Sequence, residues 1–238
     1  KMMKEEKVSV SSKFWLCSAD CLCGTLSGLI TGGGMTYFYT KYLGLDEGLA
    51  SIVWMIFAVW NALNDPLFGY ISDRTKSKLG RRIPYIRYGA LLYGVIFILS
   101  WFLWPLGGSQ TALFVQMLVS LFFFDTFYTA IATSLYVLPY TMAESNQARS
   151  GIFVWKIFFT LLSLAAPLVL FPLVRPDVGE SASRFQTIMI MLGVVTTLVI
   201  FFSTFFYKEK YTSDAEEAPG LWESICQCFK NRAFLVYE

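Results

Sequence analysis

Histidine is absent from this 238-residue sequence, and charged residues make up only 15% of it. The missing histidine excludes acid–base chemistry at an imidazole and most zinc sites, because imidazole is a common zinc ligand. Soluble domains carry about 25% charged residues, so the low value, with 55% hydrophobic residues, indicates a multi-pass membrane protein. The net charge of +2 is small and its basic residues lie in short stretches between apolar runs, which argues against nucleic-acid binding.

Cysteine is scarce as well. The five cysteines form two groups, one at the start of the first apolar run and one near the end: Cys17, Cys21, Cys23, Cys226 and Cys228. Without histidines or further cysteine pairs these are poor metal ligands, and small packing residues on a reducing, cytoplasmic side explain them better. The sequence also lacks a nucleophile–base pair and a phosphate-binding loop. It therefore predicts a protein that is not an enzyme and has no cofactor.

Six long apolar runs occupy residues 14–42, 50–72, 84–104, 111–142, 151–174 and 185–207. Each has the length that a helix needs to cross a hydrocarbon core of about 30 Å. We therefore predict an all-α membrane protein in which residues 14–207 form six transmembrane helices after a charged cytoplasmic tail at 1–13. In the first run Gly24, Gly28 and Gly32 recur every four residues, which favours close helix packing or, alternatively, the lining of a substrate path.

The chain continues beyond the sixth run. Residues 208–219 are charged and lack apolar periodicity, as expected of a cytoplasmic linker. Residues 220–231 place their apolar side chains on one helical face, which predicts a helix lying in the membrane interface. Residues 232–238 predict the start of a seventh helix.

Basic residues are unevenly distributed between the two sets of loops. They crowd the first residues, the region 74–87, the region 149–156 and everything after residue 207. Only Lys41, Arg175 and Arg184 fall in the opposite set. The positive-inside rule then predicts that both ends of this segment are cytoplasmic, in a plasma (inner) membrane.

An acidic residue, Asp65, lies inside the second apolar run. A carboxylate is costly in lipid, so it normally faces a cavity or a partner. Helical spacing places Asn61 and Asn64 on its face, and carboxylate and amide oxygens suit a small cation. These three residues are predicted to bind a cation. The alternative is that Asp65 is a structural hydrogen-bond partner for a neighbouring helix.

The stretch around Asp65 resembles the glycoside-pentoside-hexuronide:cation symporters of the major facilitator superfamily, the group of melibiose permease. The matching residues are Trp60, Asn64-Asp65-Pro66, Gly69, Asp73-Arg74-Thr75, Ser77, Gly80-Arg81 and Pro84. The resemblance implies the N-terminal half of a major facilitator fold in a lipid bilayer, with a C-terminal six-helix half as its missing partner. Such transporters hold the substrate near the midplane between the halves.

The resemblance also implies roles for individual residues. Asp65 would contribute to the site of the coupling cation, but the better-studied members carry a second aspartate where Asn61 stands, so Na+ and H+ both remain open. The loop after the second run would form a gate between the halves. Its predicted members are Gly69, Asp73, Arg74, Gly80, Arg81 and Arg82. The alternative is that the arginines only set the topology.

Candidate substrate ligands lie in the fourth and fifth runs. Lys156 aligns with a sugar-contacting arginine of the group, and the alternative is that it snorkels to the headgroups. Asp125 lies too deep to snorkel, with Tyr128 on its face, and predicts a polar cavity or a pair with Lys156. An unpaired lysine favours an anionic solute such as a sugar acid, whereas pairing would restore a neutral sugar.

The first run adds two candidates. Asp20 misses the position of the group's sugar-binding aspartate, which falls at Thr25, and Asp125 misses the corresponding position on the fourth run. The leading hypothesis is a secondary active transporter that couples a sugar-like or organic-anion solute to Na+ or H+ by alternating access. The alternative is a transporter-derived membrane sensor or scaffold without transport.

Overall fold

The computed structural model describes residues 7–177 and 181–210. Every regular element within these residues is helical. The elements are α1 (Val10–Thr31), α2 (Gly34–Tyr37), a π-helical turn (Phe38–Tyr42), α3 (Glu47–Asp73), α4 (Ile83–Leu99), α5 (Gln110–Met142), α6 (Asn146–Val174) and α7 (Ser183–Ser203). The predicted interfacial helix and seventh helix, Cys226, Cys228 and most of the predicted linker lie outside the described residues.

Five of the described segments are long and apolar enough to cross a membrane: Val10–Tyr42, α3, α5, α6 and α7. The sixth, α4, has only 17 residues, or about 26 Å at 1.5 Å per residue. Hydrogen-bonded turns extend it, because the N–H of Trp101 donates to Ile98 and that of Phe102 to Leu99. The structure confirms an all-α membrane protein built from six apolar segments.

Helix α1 begins at Val10 rather than at residue 14, so the end of the predicted tail is helical. The cause is local, since the Ser9 side chain accepts a hydrogen bond from the N–H of Ser12 and caps the helix. Asp46, Ser109 and Ser145 cap α3, α5 and α6 in the same way. Short polar residues thus start four of the long helices.

The first apolar run is not one continuous helix. Gly33 has a φ of 96°, which a side chain rarely adopts, and it separates α1 from α2. The π-helical turn follows, and its Phe38 packs against Trp101 and Phe185 at ring-centroid distances of 5.6 Å each. This aromatic cluster closes one end of the bundle, opposite the ends that carry most of the basic residues.

The helices differ in how much of their apolar surface is covered. Helix α1 packs against α5, α6 and α7, whereas α4 packs against α5 and α7, and α3 against α5. In the most apolar 18-residue stretch of each segment, half of the residues are buried in Val10–Tyr42 and in α5, but only 22% in α3 and 6% in α6. Helices α3 and α6 therefore turn large apolar faces outward.

The glycines of α1 bring it close to α6. A Cβ on Gly24 would lie 2.5 Å from Ser163 Oγ, and one on Gly28 would lie 2.6 Å from Pro167 Cγ. A Cβ on Gly32 would instead meet the Gly28 carbonyl of its own helix. Gly24 and Gly28 thus serve close packing, while Gly32 does not extend the contact.

Candidate functional site

A cavity of about 320 Å³ lies between α1, α5 and α6. This volume is at the lower end of the range of small-molecule sites. Helical spacing puts Asp20, Gly24, Ser27 and Thr31 on the wall formed by α1. The other polar groups of the lining come from all three helices: Cys21, Cys23, Tyr128, Thr160 and Ser163. The glycines that pack α1 on α6 also border the cavity, so the close packing of Gly24 and Gly28 and their position on a cavity wall occur at one place.

An ion pair crosses from α1 to α6 at this cavity. Lys156 Nζ lies 3.5 Å from Asp20 Oδ2, and the two side chains are 15% and 23% exposed. The same Nζ lies 5.4 Å from the ring centroid of Tyr136 on α5. Lys156 thus pairs with Asp20 and not with Asp125, so its charge is balanced within this half of the fold.

The remaining predicted substrate residues differ in their access to the cavity. Tyr128 lines it directly. Thr25 is buried, and its hydroxyl donates to the Cys21 carbonyl of its own helix at 2.8 Å. The hydroxyl of Thr25 is therefore used inside α1, although its position matches that of the aspartate expected from the resemblance.

Asp125 belongs to a second polar group, between α3 and α5. Its Oδ2 accepts a hydrogen bond from Asn64 Nδ2 at 2.9 Å, and both residues are buried. One turn further along α5, Thr129 Oγ1 donates to Asp65 Oδ1 at 3.0 Å. The structure thus brings Asp125, predicted as a substrate ligand, beside two of the residues predicted to bind the cation. Thr129 also belongs to this group.

The polar face of α3 is divided. Asn64, Phe68 and Ser72 are buried against the bundle, whereas Asn61 and Asp65 lie on the exposed side. Neighbouring residues point about 100° apart around a helix, so Asn64 can be buried while Asp65 beside it is exposed. Asp65 therefore has one oxygen hydrogen-bonded to α5 and a surface that is open to whatever covers α3.

The loop between α3 and α4 holds the predicted gate residues. The Arg82 guanidinium forms an ion pair with Asp73 and donates to Ser72 Oγ at 2.9 Å. The Arg74 guanidinium stacks 4.1 Å from the Tyr70 ring centroid. A Cβ on Gly69 would meet no atom within 4 Å, so this glycine is not required by packing among the described residues. Arg82 thus ties the start of α4 to the end of α3.

One participant in this loop was not predicted from the sequence. The Glu209 carboxylate accepts hydrogen bonds from the backbone N–H groups of Arg81, Arg82 and Ile83 at 2.9, 2.7 and 3.1 Å. In the sequence Glu209 is one of several charged residues after the sixth apolar run. No local pattern indicates a contact between residues so far apart in the chain.

Comparison with known proteins finds a sugar-transport family and several symporters. The family model described as MFS/sugar transport protein matches residues 24–237. The inner membrane symporter YicJ of Escherichia coli (strain K12) is 24% identical over 233 residues, which cover 93% of this chain and 49% of YicJ. The uncharacterized symporter YnaJ of Bacillus subtilis (strain 168) is 25% identical over 236 residues, covering 97% of this chain and 50% of YnaJ.

Another relative is named for its solute. The sodium-dependent lysophosphatidylcholine symporter 1 of Mus musculus is 28% identical over 167 residues, 67% of this chain and 30% of that protein. The chain spans about half the length of YicJ and YnaJ. These relatives are symporters and not enzymes, which confirms that the chain is not an enzyme.

Proposed function

This chain belongs to the MFS/sugar transport protein family, and from that premise we propose that it forms the N-terminal half of a cation-coupled secondary transporter. The observation that carries the proposal is the separation of two polar sites within one apolar bundle. One site contains an ion pair beside a cavity, and the other contains two carboxylates with neutral donors. A symporter needs both a place for a solute and a place for a cation.

The coupling cation is assigned to the group between α3 and α5. Asp65 and Asp125 accept hydrogen bonds from a threonine hydroxyl and an asparagine amide, and neither donor carries a charge. Ionised carboxylates inside a membrane protein need a cation or protons for compensation. We infer that Na+ or H+ binds here, with Asp125 supplying the second carboxylate that α3 lacks at Asn61.

The solute is assigned to the cavity between α1, α5 and α6. Because Lys156 is balanced by Asp20, the cavity does not require a negatively charged solute. Its hydroxyl groups and the Tyr128 ring suit a polyhydroxy compound that both hydrogen-bonds and stacks. We therefore place a neutral, sugar-like solute ahead of the organic anion that an unpaired lysine would favour.

A competition assay tests this assignment. The transporter formed by this half together with its C-terminal half is reconstituted in liposomes, and uptake of a labelled neutral glycoside is measured against unlabelled glycosides, hexuronates and lysophosphatidylcholine. Neutral glycosides are expected to compete best, because an anion would leave the neutral ion pair with excess charge. Stronger competition by hexuronates that disappears in Lys156→Gln would return the assignment to an anionic solute.

In the proposed orientation, both ends of this segment lie on the cytoplasmic side of the plasma membrane. The basic residues beside the α3–α4 loop, at the start of α6 and after α7 support it, since they lie at one end of the bundle. Single cysteines at Ser181 and Lys78, in a background without native cysteines, distinguish the two orientations. A membrane-impermeant reagent should label position 181 in intact cells and leave position 78 unlabelled; the reverse pattern would invert the topology.

A further inference from the structure

We propose that Glu209 is a positioning residue for the gate, acting through the segment 204–210, here called the strap. The proposal rests on the proposed transport function, in which the α3–α4 loop must move during each cycle. The strap follows α7 directly and contacts α1 and α5 near their ends. Glu209 connects it to the loop.

Glu209 supplies a helix cap that the local sequence does not provide. Helix α4 begins after Arg82, whose side chain makes no capping hydrogen bond. The first N–H groups of a helix have no partner within the helix, and its N-terminus favours negative charge. Oε1 of Glu209 accepts from Arg82 and Ile83, and Oε2 accepts from Arg81. The other capped helices use a residue beside their first turn, whereas Glu209 is 126 residues from Ile83.

The loop is shaped to admit this carboxylate. Gly80 has a φ of 107°, and a Cβ there would lie 2.6 Å from the carboxyl carbon of Glu209. A glycine is therefore needed for the backbone conformation and for the close approach of the acid. Gly107 has a similar φ of 86° but open space around its Cβ position, so it provides a matched comparison.

The contact reaches the predicted gate through Arg82. Glu209 holds the backbone of Arg82, and the Arg82 guanidinium binds Ser72 and Asp73 at the end of α3. Glu209 thereby fixes the point from which the guanidinium extends. A displacement of the strap would shift Arg82 relative to α3.

The strap also joins the loop to two other helices. Ser12 Oγ on α1 donates to the Phe206 carbonyl at 2.6 Å. The N–H of Lys210 donates to the carbonyl of Thr141, near the end of α5, at 3.0 Å. Since α1 and α5 both line the solute cavity, the strap provides a mechanical connection between those helices and the gate loop.

The test begins with a readout that does not depend on transport. Hydrogen exchange of a peptide covering residues 80–86 is measured by mass spectrometry in the full chain and in Glu209→Gln. The glutamine keeps one acceptor oxygen but loses the charge and the second oxygen, so exchange should be about tenfold faster. Glu209→Asp keeps the carboxylate and should restore part of the protection.

Two controls separate this effect from a general loss of charge. Lys210→Gln changes a strap residue whose contact with Thr141 uses only its backbone N–H. Glu47→Gln removes a carboxylate that pairs with Lys41 at the opposite end of the bundle, where both side chains are exposed. Both variants should exchange like the wild type at residues 80–86. Equal exchange in Glu209→Gln and wild type would overturn the proposal.

A pair of glycine variants gives an independent check. Gly80→Ala should accelerate exchange in the loop, and it should do so much less when Glu209→Gln is already present, because part of its effect is the collision with the carboxylate. Gly107→Ala introduces similar backbone strain and should be additive with Glu209→Gln. Additive behaviour of both glycine variants would contradict the contact.

Turnover decides whether the contact controls the gate. In Glu209→Gln, uptake per folded molecule should fall about fivefold while the apparent solute KM stays within about twofold, since the cavity itself is untouched. A purely structural residue would lower the amount of folded protein but not its turnover. If the wild type transports solute and Glu209→Gln has the same turnover, the gate role is refuted, but the contact of Glu209 with the loop is not. If the wild-type transporter, with both halves present, exchanges no solute, the proposed function is refuted. The hydrogen-exchange data would still decide whether Glu209 holds the loop.

Discussion

The two polar sites inside the bundle balance their charges in different ways. Between α1 and α6, Lys156 and Asp20 face each other and their charges cancel. Between α3 and α5, Asp65 and Asp125 each bind a neutral donor, so ionisation of both would leave two negative charges. In the proposed function, the first site accepts a neutral solute without further compensation, whereas the second is completed by a cation or protons.

The sites also differ in how their helices meet. Helices α1 and α6 approach closely because glycines on α1 leave room for Ser163 and Pro167. Asp65 on α3 lies on an exposed side, and Gly69, one turn beyond it, has free space around its Cβ position. The proposed solute site is thus built into a tight helix contact, while part of the proposed cation site lies on a surface that faces away from this bundle.

The largest expected effect comes from Asp65→Asn, which would make the second site less acidic. Cation-driven accumulation of solute should be abolished, while exchange of labelled for unlabelled solute persists because it requires no net cation movement. Both are measured in liposomes with and without an ion gradient. Glu47→Gln, which removes a carboxylate at the other end of the same helix, should accumulate solute normally.

If Asp65→Asn retains full ion-driven accumulation, the proposed difference between the two polar sites is wrong. In that case the carboxylate would be only a structural partner of Thr129. The same assay with Asp125→Asn tests whether α5 supplies the second carboxylate, since loss of coupling in only one variant would restrict the cation site to one helix.

A smaller effect is expected from the ion pair of the first site. Lys156→Gln and Asp20→Asn each leave one charge unbalanced beside the cavity, and each should weaken solute affinity about tenfold. The double variant restores neutrality and should recover most of that loss, which a double-mutant cycle measures. Because both side chains are partly exposed, the coupling is smaller than for a fully buried pair. Additive losses would mean that each residue contacts the solute separately.

Helical period and charge distribution account for the features that sequence analysis could predict. The positions of the apolar segments and the basic loop with Asp73 and Arg82 follow from spacing along the chain. The predicted polar face of α3 is only partly correct, because Asn64 is buried while Asn61 and Asp65 are exposed. Spacing cannot give the rotation of one helix relative to another. The pairing of Lys156 with Asp20, and of Asp125 with Asn64, depends on that rotation and emerged only in the folded bundle.

Two other features could not be predicted from a local sequence pattern. Glu209 caps α4 across most of the chain, and its partners are backbone N–H groups that every sequence contains. The glycines Gly24, Gly28 and Gly32 recur every four residues, yet only Gly24 and Gly28 contact α6. The helix ends beside Gly32, because Gly33 adopts a positive φ. In both cases the chain path, and not the residue type, decides the contact.

A contrast in stability, rather than in transport, is expected between two helical glycines, Gly28 on α1 and Gly69 on α3. At Gly28 an added Cβ would meet the Pro167 ring at 2.6 Å, and that ring cannot rotate away, so Gly28→Ala should destabilise the fold by about 1–3 kcal/mol. At Gly69 the space is open and alanine favours helix by about 1 kcal/mol, so Gly69→Ala should be neutral or stabilising. Thermal unfolding in detergent measures both shifts in Tm against the wild type. If Gly28→Ala is tolerated as well as Gly69→Ala, the contact between α1 and α6 must be able to open, and the contrast in rigidity between the two sites would fail.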